Sequence, residues 1–269
     1  MGDAQFEEKV FYARLTSPEL KEAVKRQCVV LIPVGTVEAH GPHLPLDTDN
    51  YIAFQLALAA GRRIPDEVLI APLIPYAFNI HFIDYPGTIA VQSEHFMNYC
   101  LDVSKSIAYH GFRRIIFVNN HGPNIPYLSI ISMRTNLESD ALCTHVSSLS
   151  QVDVMQELRE SKFPGGISHA CEMETSILLY LDPTRVQMDK AVKEMGFPRG
   201  KYFWRDVAPR PPVELNSWWS CCSVTSVSGD PTLATREKGE KLFTADVDRL
   251  VDIIREFKQI EMPQRRDFH

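Results

Sequence analysis

Cys28–Val34 reads CVVLIPV and runs directly into Gly35-Thr-Val-Glu-Ala-His-Gly-Pro-His-Leu-Pro-Leu-Asp-Thr-Asp-Asn50. A short, β-branched apolar run that closes on a glycine and a polar turn predicts a strand buried on both faces. Val68–Ile74 (VLIAPLI), Ile115–Val118 (IIFV) and Leu142–Ser147 repeat the pattern. Stretches with helical spacing lie between these runs. Ser17-Pro18-Glu19 offers an N-cap, an early proline and a first-turn acid for a helix to about Arg26. Asn50–Arg62 is apolar at helical spacing, and Ser93 opens a helix that Gly111 closes. Further helices are predicted at Ile125–Leu137, at Glu172–Leu181 before Asp182-Pro183, and at Arg236–Phe257. Strands alternating with helices predict a three-layer α/β/α sandwich around a mainly parallel sheet.

Of the 269 residues 45% are hydrophobic and 23% are charged, a globular composition that excludes disorder and coiled coil. We expect one domain, 1–269. A net charge of −6 with scattered Lys and Arg argues against nucleic acid as a partner. No apolar run approaches the roughly 18–20 residues of a membrane span. The acidic start Met1-Gly-Asp-Ala is unlike a signal peptide, so the expectation is a soluble, cytoplasmic protein with no membrane partner. The six cysteines contain no CxxC pair and read as free thiols. Lys193–Ser220 breaks the composition with prolines and with Trp204, Trp218 and Trp219. It reads as a long functional loop on one domain, since a linker would carry fewer aromatics.

The chemistry-bearing residues gather behind the first strand. Glu38, His40, His43, Asp47 and Asp49 place five ligands or proton carriers within 12 positions. They lie at the carboxyl edge, where open α/β sheets bind their ligands. Carboxylate mixed with imidazole suits zinc, manganese or iron. Any one of these residues equally suits a polar loop with histidines capping backbone groups; five together favour a site. Asn119-Asn-His-Gly-Pro-Asn124 follows the Ile115–Val118 strand and brings His121 to the same edge. Ser168-His-Ala-Cys-Glu-Met-Glu-Thr-Ser176 supplies His169, Glu172 and Glu174. In a helix His169 and Glu172 would share a face, whereas Glu172 and Glu174 point apart. A first-turn acid beside the helix dipole is the plain alternative for Glu172. His81 and Asp84 before Tyr85-Pro-Gly-Thr88, and the pair Cys221-Cys222, are weaker candidates. The absence of a Gly-x-Ser-x-Gly elbow, a P-loop and GxGxxG removes support for a serine hydrolase, an NTPase and a Rossmann dehydrogenase.

These motifs resemble the creatininase (creatinine amidohydrolase) family. The resemblance rests on Pro33–Pro45 with Asp49, Tyr85–Thr88, Asn119–Asn124, His169–Ser176 and the segment Gly229–Glu240, in that order along the chain. It implies a three-layer α/β/α domain, often a hexamer, with two divalent ions (Zn, Mn or Fe) at the carboxyl ends of the strands. Glu38 and His121 would hold one ion, His40 the other, and Asp49 would bridge them. His169 falls on the family's catalytic histidine. The chain departs from creatininase where Pro123 replaces a metal-binding glutamate. We therefore expect Glu172 to complete the second site, with Glu174 behind it or on the substrate. The tryptophan that precedes the catalytic histidine in creatininase is also missing, since Pro164-Gly-Gly-Ile stands there. Creatinine is accordingly not the expected substrate. The resemblance implies hydrolysis of a C–N bond in a small cyclic amide or formamide. The alternatives are C–C ring opening of a cyclic ketone such as a dehydro-inositol, and an inactive metal-binding relative. Lys201, Arg205 and Arg210 either meet an anionic or polyhydroxylated substrate or are solvated.

Overall fold

In the computed structural model, which describes residues 10–147, 152–197, 200–207 and 209–269, four parallel strands form the central sheet. They are β1 (Val29–Val34), β2 (Val68–Ile70), β3 (Arg114–Asn119) and β4 (Leu142–Ser147), in the spatial order β2-β1-β3-β4. Val30 stands beside Leu69 on one side and Ile115 on the other, which sets the register. The predicted second strand is shortened to Ile70, and Ile74 returns only as a single bridge to Val34.

Alternation along β1 divides two cores. Val29 and Leu31 pack with α2 (Thr48–Arg63), α6 (Glu172–Leu181) and α7 (Arg236–Gln259). Val30, Ile32 and Val34 pack with α1 (Ser17–Lys25), α3 (Ser93–Tyr109) and α4 (Ile125–Glu138). Ile116 and Val118 of β3 join the first core, Ile115 and Phe117 the second. Helices therefore cover both faces of the sheet, giving the α/β sandwich and explaining why β1 is buried at every position. The cap of α1 lies one residue earlier than predicted, because Thr16 forms a capping box with Glu19. A short helix, α5 (Val152–Leu158), follows β4 along the chain. No helix among the described residues is long and apolar enough to cross a membrane.

Strand order fixes where a ligand can bind. From β1 the chain steps to β2 on one side, and β3 then lies on the other. The crevice between the carboxyl ends of β1 and β3 is thus a topological switch point, where such sheets take their ligands. A second, antiparallel pair, β5 (Ile167–His169) and β6 (Ser228–Gly229), carries His169 to that crevice. α6 and α7 meet backbone to backbone: a Cβ on Gly239 would lie 1.8 Å from the Ser176 carbonyl oxygen.

Candidate functional site

Beyond β1 the chain folds back on itself. Gly35 lies so close to α2 that a Cβ there would sit 2.5 Å from Asn50 Oδ1 and 2.6 Å from Asn50 N. That approach brings Asp49, in the first turn of α2, against the end of β1. Glu38 N donates to Leu46 O (3.0 Å), and Ala39 N donates to Thr88 Oγ1 (3.3 Å), holding the intervening loop. Beyond β3, Asn119 braces the turn: its Nδ2 donates to His121 O (2.8 Å), and its Oδ1 accepts from His121 N (3.2 Å). Behind His169, Ala170 adopts φ +46°, a left-handed conformation costly for a non-glycine residue. That bend turns the chain from β5 into α6, where Cys171 N donates to Glu174 Oε2.

These three segments bring six side chains together. Glu38, His40 and Asp49 are 1%, 0% and 1% exposed, so these three are almost wholly buried. His121 Nδ1 lies 3.1 Å from Asp49 Oδ2 and 3.2 Å from Glu38 Oε1. His40 Nε2 lies 3.3 Å from Asp49 Oδ1, and His169 Nδ1 lies 3.5 Å from Glu38 Oε1. Two sets share Asp49: Glu38 with Asp49 and His121, and His40 with Asp49 and Glu174. Within each set one ligand atom per residue lies within 4.8 Å of the others. Glu38 Oε2, His40 Nε2 and His121 Nε2 are buried without a hydrogen-bond partner. Buried polar atoms are normally satisfied, so three orphans in one cluster of carboxylates and imidazoles fit a cation site.

Charge and burial compete here. Burial opposes charge on His40 and His121, but the carboxylates around them prevail, raising them to about 9 and about 10. Burial pushes Glu174 up to about 7, with Asp49 and Glu38 adding repulsion. The reverse holds for Asp49, whose two imidazole neighbours lower it despite burial. Burial, reinforced by His40, holds His169 well below the usual imidazole range and therefore neutral. Its Nε2 lies 2.8 Å from Ala39 O, which sets the tautomer by requiring a hydrogen there. Nδ1 is left as an acceptor facing Glu38.

The structure places Glu172, expected as a ligand of the second ion, outside this cluster. Its carboxylate accepts from Glu160 N (3.1 Å), Ser161 N (2.9 Å) and Lys238 Nζ (2.6 Å), on the far side of α6 from the cluster. Glu174, and not Glu172, lies beside His40 and Asp49. The cause is helix geometry combined with the bend at Ala170: only one of two acids two positions apart can face the crevice. His169 lies on β5, outside the helix, and so shares no helical face with Glu172. His43 bonds Thr175 Oγ1 (2.9 Å), and Asp47 pairs with Arg185; neither belongs to the cluster. Asn120 donates to Asp49 Oδ1 (3.1 Å); its turn is conspicuous in the sequence, but an amide beside a histidine carries no signal of its own.

A cavity of about 910 Å³ opens over the cluster. Its walls include His81, Phe82, Arg205, Trp218 and Trp219. The loop at 193–220 thus contributes a wall, and Trp219 packs edge-on against His169 with ring centroids 5.4 Å apart.

Residues 13–254 match the family model Creatininase, described as creatinine amidohydrolase. The mycofactocin precursor peptide peptidase of Mycobacterium tuberculosis (strain CDC 1551 / Oshkosh) is 32% identical over 82% of this chain and 82% of its own. The 3-dehydro-scyllo-inosose hydrolase of Thermotoga maritima is 27% identical over 93% and 84%. Among solved structures, a mutant creatininase complexed with creatine superimposes with a TM-score of 0.79 at 26% identity, covering 94% of this chain and 100% of that one. Similar creatininase structures include a Zn-Zn type and a manganese form.

Proposed function

Because the chain belongs to the creatininase family of hydrolases, we propose that it cleaves an amide C–N bond at a centre of two divalent ions sharing Asp49. The observation that carries this reading is the pair of buried ligand sets with Asp49 in common and orphaned atoms in both. Glu38, Asp49 and His121 would hold one ion, and His40, Asp49 and Glu174 the other. Carboxylate and imidazole donors suit zinc, manganese or iron(II), and the zinc and manganese forms of related structures support the first two. Paired ions in such a site supply an activated water and polarise the attacked carbonyl.

The chain's own residues handle the proton. His169, neutral and held by Ala39 O, presents Nδ1 to the cluster, takes a proton there and returns it to the leaving nitrogen. Phe82 and Trp219 flank its ring at 4.7 and 5.4 Å and exclude water from that transfer. Glu172 orders the 160–161 backbone and Lys238, and binds no ion in this scheme.

Small cyclic amides and formamides are the first substrates to test, and the cavity also admits larger amides. Ring opening of a cyclic ketone at a C–C bond is the second reading, favoured by the inosose hydrolase that matches over 93% of this chain. Assembly as a homo-oligomer, a hexamer by family, belongs to the same proposal and is read by light scattering. Product analysis of the zinc- or manganese-loaded protein on amide and cyclic-ketone panels is the test. Release of an amine or formate supports C–N hydrolysis, nitrogen-free ring opening supports the alternative, and inertness on both panels contradicts the hydrolase reading. His169→Gln is expected to lower kcat about 10²–10⁴-fold with metal content unchanged.

A further inference from the structure

Buried and half-buried cations among the described residues are held by carboxylates or, as Arg114 is by Phe257 O and Ile260 O (both 2.7 Å), by backbone carbonyls. Lys238 lies 2.6 Å from both Glu160 and Glu172. Arg159 grips Asp206 with two nitrogens, at 3.1 and 2.7 Å, and Arg185 reaches Asp47. Arg205 departs from this pattern. It is half-buried in the cavity wall, with its guanidinium 4.3 Å from the Trp219 ring centroid and 5.0 Å from that of Phe197. Its hydrogen bond among the described residues is a long one, to Asn216 Oδ1 at 3.4 Å. No carboxylate of the described residues lies within 4.0 Å of it. Burial pushes the guanidinium down to about 10, which Glu214 only partly offsets.

The position has a chemical consequence. Trp219, on which Arg205 rests, meets His169 edge-on, so the cation stands one aromatic ring away from the proton-transfer residue. Across the same cavity lie Glu38, Asp49 and Glu174. A guanidinium fixed between two rings has little freedom left to lose, and a planar cation of this kind suits a planar anion. A partly desolvated charge without a counter-ion is disfavoured until an anion arrives.

Resting on the hydrolase reading, we propose that Arg205 sets specificity by binding an anionic group, a carboxylate or a phosphate, carried by the amide substrate. The group would lie a few bonds from the attacked carbonyl, with that carbonyl at the His169 end of the cavity. Arg210, exposed on the same wall, adds attraction without the fixed geometry.

The test is equilibrium binding to zinc-loaded full-length protein, using succinamate, neutral succinamide and 3-phosphonopropionamide. We expect at least one anionic probe to bind about tenfold more tightly than succinamide, the gain of one charge-assisted contact. Whichever anion prevails identifies the group. Arg205→Gln should abolish that preference while leaving succinamide binding unchanged, and Arg205→Lys should restore part of it. Equal affinities for all three probes would overturn the proposal. A preference that survives Arg205→Gln would do the same, because the anion would then be held elsewhere, for instance by the ions. His169→Gln separates this proposal from the hydrolase reading. If it keeps the Arg205-dependent preference while the unmodified protein hydrolyses no amide, the hydrolase reading fails and the anion site stands.

Discussion

Glu172 and Glu174 are two positions and about 200° of helix apart, and their surroundings diverge accordingly. Glu174 faces His40 and Asp49; Glu172 faces Lys238 and two backbone amides. Glu174→Gln should therefore weaken binding at the second ion site at least tenfold, a loss that titration calorimetry measures directly. Glu172→Gln should leave both metal affinities within about twofold but cost about 1–3 kcal/mol of stability, since Lys238 keeps Glu160 and loses one charge-assisted contact. Weakened metal binding in Glu172→Gln at unchanged fold would reverse the two assignments. Spacing alone indicated that only one of these acids could reach the crevice. Which one it is depends on Ala170, whose left-handed φ of +46° carries no signature in an alanine.

Elements with strong local signals were legible in the sequence. β1, β3 and β4 follow from apolar runs, and α6 spans the Glu172–Leu181 stretch bounded by Asp182-Pro183. β5 and β6 were not legible, because three- and two-residue strands carry no periodicity and form only through their antiparallel pairing. The seam between α6 and α7 was equally hidden, although it fixes the helix that carries Glu174. Gly239→Ala puts a methyl 1.8 Å from the Ser176 carbonyl, and backbone cannot yield as a side chain can. We expect a loss of about 2–3 kcal/mol in urea unfolding, at the upper end for overpacking. Gly122→Ala, with open space at its Cβ, is the control and should change stability little. Equal midpoints for the two variants would show that the helices separate freely at this seam.

Across the whole molecule, the strand order β2-β1-β3-β4 gathers acids and imidazoles from distant segments into one buried cluster. Sequence spacing located the edge at which they meet. The cavity was legible only in part: composition marked the loop that carries Arg205 and Trp219 as functional, but an irregular segment without periodic pattern does not tell which of its side chains line a wall. The cluster also dictates how the metal-free chain responds to pH. His40 and His121 are raised to about 9 and about 10 from an ordinary imidazole value of about 6.5. Between those limits the folded chain holds more protons than the unfolded one, so its stability falls as pH rises. Chelator-treated protein should therefore show a denaturation midpoint that declines from pH 7 to 10. Metal affinity should rise over the same interval, because binding displaces those protons. A midpoint that does not fall over that range would contradict the charge arrangement described.

Asp49 stands at the centre of the proposed chemistry as the carboxylate that both ions share, and elemental analysis of protein purified without chelator tests this most directly. Close to two divalent ions per chain are expected, with both lost together in Asp49→Ala while the circular dichroism spectrum stays native. One ion or none in the unsubstituted protein, or an Asp49→Ala variant that keeps both, would contradict the shared centre.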